Sequence, residues 1–330
     1  MLQLKNDTPF AAAIAVFPNE DGIDTLYTIV KGTFVFFPHL ALAPQQAEPQ
    51  KKDEYSGEPG ESSLIIASDY HTGKAGTDIV MTGSACSLDM QEVSEMDVRL
   101  EVAGLRKTVR VFGDRTWERG RATRAKPFTQ MPLTYERAFG GTLMVDGQLH
   151  QHEERNPVGL GFCGDLTAAD VELWSLPNLE NPQQLIRRPD IRPAPACFAP
   201  VAPYWYPRTT FAGTYDENWQ RNRAPYLPED YQPRFMNMAP EDQIFPECLQ
   251  GGEPVSIVGM HPMGELSFHL PRVTLTNHVQ MQKQEVVAPF VLETVHLQPN
   301  QLQLSMVWRS ALPCDKKLRT IRQVSVGMSR

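Results

Sequence analysis

A chain of 330 residues with 41% hydrophobic and 21% charged side chains has the balance of a protein with a buried core, which argues against global disorder. Its net charge of -8 argues against a general nucleic-acid binder, which needs a basic footprint. Its 28 prolines, set against 22 glycines, argue against a mostly helical build, because proline fixes φ and removes a backbone donor.

From the N-terminus, "FAAAIAVF" reads as a strand rather than a secretory segment, and "TLYTIVKGTFVFF", rich in β-branched and aromatic residues, as a longer one. "TDIVMTGSACSL", "DVRLEVAG" and "RKTVRVFGD" follow. Alternation puts Val98, Leu100 and Val102 on one face and Val109 and Val111 on one face, with "AGLRK" as the hairpin connection. Residues 1–115 therefore form an antiparallel β region. Residues 116–245 are broken by prolines, and only "LTAADVELW" looks briefly helical, with Thr167 as N-cap and Asp170 three residues on. This stretch still holds Trp174, Trp205, Trp219 and most of the tyrosines, too much aromatic surface to leave in water. It reads as an ordered, loop-rich layer over the β core. Residues 246–330 return to strands, with Leu302, Leu304, Met306 and Trp308 alternating; the end, "DKKLRTIRQVSVGMSR", reads as a solvated basic tail bearing Lys316, Lys317, Arg319, Arg322 and Arg330. The expected fold is mainly β: antiparallel sheets, sandwich- or barrel-like, under a Pro-rich layer with little helix, packed as one unit.

Chemistry-bearing motifs are sparse. The five cysteines (Cys86, Cys163, Cys197, Cys248, Cys314) lie far apart with no CxxC, which suits free thiols in a reducing cytoplasm. No run of about twenty apolar residues predicts a membrane span. "GLGFCG" at 159–164 matches a dinucleotide fingerprint, but "EERNPV" before it cannot be the strand that such a loop needs. His150 and His152 would share one face of a strand, near Cys163, as metal ligands sometimes do, but a polar solvated loop is the preferred reading and no metal is expected. No cofactor is expected.

Charged residues beside aromatics recur: Asp114, Arg115 and Trp117 in "GDRTW"; Tyr135, Glu136 and Arg137 before Gly140 and Gly141; Tyr215, Asp216 and Trp219 in "GTYDENW". Arg–carboxylate pairs braced by aromatics hold irregular loops, and the same residues suit a partner-binding rim. A hydrolase using Asp114, Glu136 or Asp216 is the enzymatic alternative. Candidate partner contacts are Tyr204, Trp205, Tyr206, Arg208, Tyr215, Trp219, Arg221, Arg223 and Tyr226.

"SSLIIASDYHTGKAGTDIVMTGSA", "VFGDRTW", "MPLTYERAFGG", "NPVGLGF" and "FAGTYDENWQRNRAPYLPEDYQPRFMNMAPEDQ" run in an order that resembles the bacterial domain-of-unknown-function 2169 family. The resemblance spans nearly the whole chain and carries no catalytic residues. It implies a non-enzymatic, cytoplasmic adaptor or chaperone that binds a type VI secretion effector, often one with a PAAR-type tip domain, and helps load it onto the spike. A structural part of the secretion machine is the remaining alternative.

Overall fold

Glu95–Val102 and Leu105–Phe112 pair antiparallel with Leu105 opposite Val102, leaving Ala103 and Gly104 as the turn, both at positive φ. A two-residue turn of that kind matches the strands' own twist. The predicted faces hold: Val98, Leu100, Val102, Val109 and Val111 are all wholly buried. The computed structural model describes residues 2–167 and 169–328.

Three larger sheets carry the fold, and no barrel closes among the described residues. The largest runs, in spatial order, Ile244–Phe245, Thr77–Met81, Val291–Gln298, Gln303–Pro313, Asp24–Val35, Ala11–Pro18, with Ala41–Leu42 added to Asp24–Val35. Its pairings are antiparallel except Thr77–Met81 beside Val291–Gln298. A five-stranded sheet extends the 95–112 hairpin with Leu179–Glu180 on one side and Pro254–Val258, then Leu266–His269, on the other. One buried cluster joins Val30, Met306 and Trp308 of the first sheet to Val98, Val111 and Ile257 of the second. Tyr135, Phe198, Trp205 and Met238 from the loop layer belong to the same cluster, so that layer is part of the core. A second cluster lies within the layer, around Trp117, Phe139 and Phe162.

Two local expectations are overturned. Ile321–Met328 is a strand, not a solvated tail: it pairs parallel with Gln3–Asn6 and antiparallel with Leu275–Met281. Ile321, Val324 and Val326 are buried, so alternating apolar residues outweigh the nearby basic ones; Arg330 lies outside the described residues. The helix is also elsewhere. Around Thr167, the Asp170 carboxylate accepts from the Thr167 amide and hydroxyl within a run of turns, and Leu173 at φ 66° departs from helical geometry. The one α-helix among the described residues is Glu217–Asn222, capped by Asp216 accepting from Trp219 N at 2.8 Å. All five cysteines are free thiols, four of them buried. Among the described residues, no helix is long and apolar enough to cross a membrane.

Candidate partner-binding surface

Two of the three charged–aromatic motifs find their partners far away in sequence; the third, around Asp216, pairs locally. Arg115 does not pair with Asp114; it reaches Glu180 at 2.6 Å, its guanidinium 3.7 Å from the Phe112 ring centroid. Both members of that pair are buried; Glu180 also accepts from Ile186 N, and Arg115 donates to the Pro177 carbonyl at 2.7 Å. Asp114 accepts from the Asn178 amide, and Asn178 also accepts from Arg137. Glu136 takes the amide and hydroxyl of Ser63 and the hydroxyl of Ser56, each at 2.8 Å. Burial alone would raise its carboxyl, but these donors hold it below the ordinary value. Tyr135 is buried edge-to-face against Trp205, their centroids 5.2 Å apart. Gly140 (φ 151°) and Gly141 (φ 112°) let the chain run against a neighbouring loop; a Cβ at Gly140 would stand 2.1 Å from the Asn156 carbonyl oxygen. The three carboxylates of the enzymatic alternative thus sit in three settings: Asp114 at Asn178, Glu136 among serines, Asp216 on a helix cap.

The nine candidate contact residues separate into three groups. Trp205 is wholly buried and Arg208 nearly so, its guanidinium donating to the carbonyls of Val201 and Phe235, so neither offers a surface to a partner. Tyr204 and Tyr206, on either side of Trp205, are exposed. Tyr204 is fixed by accepting from Gly60 N at 2.8 Å. Around the helix, Tyr215 and Tyr226 are exposed, Trp219 and Arg223 half-buried, and Arg221 exposed in an ion pair with Glu217. Trp219 donates to Tyr226 O and packs edge-on to Tyr215 at 4.7 Å, which fixes the corner.

Tyr206 and Arg155 line two open hollows. One, about 530 Å³, is lined by Lys107, Tyr135, Pro207 and Asp242; the other, about 480 Å³, by His152, Glu153, Phe162 and Arg192. Arg155 is clamped by Glu153 through two guanidinium contacts at 2.7 and 2.8 Å. Lys107 donates to Asp242 at 2.8 Å; burial lowers its ammonium, partly offset by that carboxylate. His150 and His152 are both exposed on the strand Gln148–His152, and Cys163 is buried, its thiol on Pro189 O. Among the described residues, no three His, Cys, Asp or Glu side chains converge as a metal site.

A buried charge network escaped sequence reasoning. Arg309 meets Glu293 at 2.5 Å, the His71 ring and the His71 carbonyl. Lys74 meets Asp78 at 2.7 Å and Thr294, and Lys31 meets Asp69 at 3.0 Å. Asp78 also accepts from Asn237 and from Met238 N, which ties the strand Thr77–Met81 to the loop layer. Burial, and then the Arg309 and Lys74 charges, push His71 well below the ordinary histidine value. The available signal was the density of charge in "SDYHTGKAGTD", between two apolar runs.

A β core capped by a loop layer, with aromatics fixed at its surface, is the class of protein these features define. The chain belongs to a bacterial family described as "Uncharacterized protein conserved in bacteria (DUF2169)", whose model matches residues 21–309. No curated protein and no solved structure matches it.

Proposed function

We propose that this chain is a non-enzymatic adaptor that binds a type VI secretion effector in the cytoplasm and assists its loading onto the secretion spike. The observation that carries the binding part is the Tyr204–Tyr206 segment: two exposed tyrosines anchored by a wholly buried Trp205, beside a clamped Arg155. Tyr and Arg dominate interface hot spots, and a fixed side chain loses little entropy when a partner covers it. The secretion role comes from the family resemblance, in which such proteins accompany effectors with a PAAR-type tip domain.

The test is affinity capture by the purified chain of the effector encoded beside its gene, with and without Tyr206→Ala and Arg155→Ala. Capture by the parent chain that both variants lose, with the Tyr206→Ala melting temperature unchanged, supports the proposal. Absence of capture, with secretion unaffected by gene deletion, sinks it. Recovery with sheath or secreted material points instead to a structural part, and hydrolysis of the effector points to the carboxylate alternative.

A further inference from the structure

Ala11–Pro18 is an outer strand of the largest sheet, paired on one side only, with Asp24–Val35. In an antiparallel pair, every second residue of an edge strand turns its N–H and C=O away from its neighbour. Among the described residues nothing else hydrogen-bonds to the backbone of 11–18. Such edges are ordinarily blunted by shortness, charge, an internal proline or a bulge. This one has none of those. It runs eight residues, "AAAIAVFP", carries no charge, keeps proline to its last position, and pairs in unbroken register from Ala11–Lys31 to Pro18–Asp24. The other outer strands of the three larger sheets have two or four residues. Alanines at 11, 12, 13 and 15 leave little side-chain bulk to fend off an incoming backbone.

The downstream end of the edge has a character of its own. Glu20, Asp21 and Asp24 are exposed there and take part in no ion pair among the described residues. The aromatic corner borders them: the Tyr226 ring lies against Gly22, and Arg223 donates to the Glu20 carbonyl at 2.7 Å. Carboxylates next to an exposed tyrosine face suit a lysine or arginine, by charge and by cation–π attraction. The Arg223 guanidinium is already bound to the Glu20 and Leu227 carbonyls and leaves the three carboxylates free.

We propose that a protein partner adds a strand to this edge: an extended segment of small and apolar side chains whose lysine or arginine flank is captured by Glu20, Asp21, Asp24 and Tyr226. The inference rests on the adaptor reading for the identity of the client, but the edge can be tested without it. An alternating valine–threonine octapeptide with a lysine pair at either end is titrated against the full chain and followed by amide hydrogen exchange. Slowed exchange at alternate positions of 11–18, weaker for the same peptide with glutamates in place of the lysines, is the expected result. Unchanged exchange, or equal protection by the glutamate peptide, overturns it.

The second arm uses the neighbouring effector and two variants, Ala12→Pro and Ala13→Pro. One removes an inward amide and lowers the melting temperature; the other removes an outward amide and leaves the fold intact. The stable variant is expected to capture effector about tenfold more weakly, because main-chain bonds supply much of the affinity in strand addition. Full capture by that variant overturns the edge proposal while sparing the adaptor one. If the parent captures no effector, the adaptor reading fails and the peptide titration still decides the edge. A parent dimer that the stable proline variant converts to monomer assigns the edge to a second copy and overturns the partner claim.

Discussion

Arg137 and Asn178 hold each other twice: the guanidinium Nη1 donates to the Asn178 Oδ1 at 2.9 Å, and the Asn178 backbone N–H donates to the Arg137 carbonyl at 2.9 Å. Because Asn178 also donates to Phe112 O and Asp114, this contact ties the 131–141 segment to the end of the central hairpin. Arg137→Ala leaves Asn178 Oδ1 without its charged donor and is expected to cost about 2 kcal/mol. Urea denaturation measures it. Full stability together with lost partner capture would reassign the segment to the interface.

The Arg309–Glu293 pair is buried on both sides. Arg309→Met leaves Glu293 charged and unneutralised and is expected to cost roughly 3–5 kcal/mol, whereas removing both charges together costs much less than that loss doubled. A double-mutant cycle of Arg309→Met and Glu293→Gln by thermal melting gives the coupling; additive losses would show that the pair is not a unit.

Acid should loosen the fold before its carboxylates titrate. Burial lowers His71 well below 6.5 and takes His296 from 6.5 to about 4. Both are neutral in the folded chain, so the unfolded chain takes up protons first as pH falls. Their contribution is therefore complete above pH 6.5 and is lost progressively toward pH 4, at up to about 1.4 kcal/mol per unit for each histidine. Denaturation midpoints between pH 4 and 7.5 check this. His296→Gln, which keeps a polar partner for Thr82, is expected to flatten the slope; an unchanged slope would assign the loss to other groups.

Trp205 and Tyr206 are adjacent and should behave oppositely. Trp205→Ala empties a fully buried site and is expected to cost about 3–5 kcal/mol or prevent soluble expression. Tyr206→Ala, at an exposed position, is expected to shift stability by less than about 0.5 kcal/mol and to act only on partner capture. Melting temperatures of the two variants separate the roles.

Gly140→Ala places a methyl 2.1 Å from the Asn156 carbonyl oxygen at a backbone angle that side chains avoid. Its loss of stability should exceed that of Gly104→Ala, where nothing lies within 4 Å and only the positive φ is strained, a matter of about 1 kcal/mol. Equal effects in thermal melts would show that the close approach is not felt.

What the sequence revealed was local. The 95–112 hairpin is legible because two alternating runs and a short turn specify each other over eighteen residues. The strand Ile321–Met328 was hidden because its partner strands, Gln3–Asn6 and Leu275–Met281, lie far away in the chain, and the Lys and Arg residues just before it draw the eye from its apolar alternation. Thr167 and Asp170 carried a helix-cap pattern, and the same hydrogen bonds serve a turn equally well. The aromatic list mixed core with surface, since sequence cannot say that Trp205 points inward while its two tyrosine neighbours do not. The 68–78 charge network was not legible because Glu293, Thr294 and Arg309 arrive from over two hundred residues downstream.

Asp24–Val35 pairs along eleven positions with Gln303–Pro313, and that pairing lies in the interior of the largest sheet. On a ribosome, the early strand emerges long before the one that covers its inner edge. It must wait, with its β-branched residues uncovered, while almost the whole chain is made. Non-local pairing of this kind folds slowly and exposes strand edges meanwhile. A chain built this way gains from an attendant that covers its early strands during synthesis.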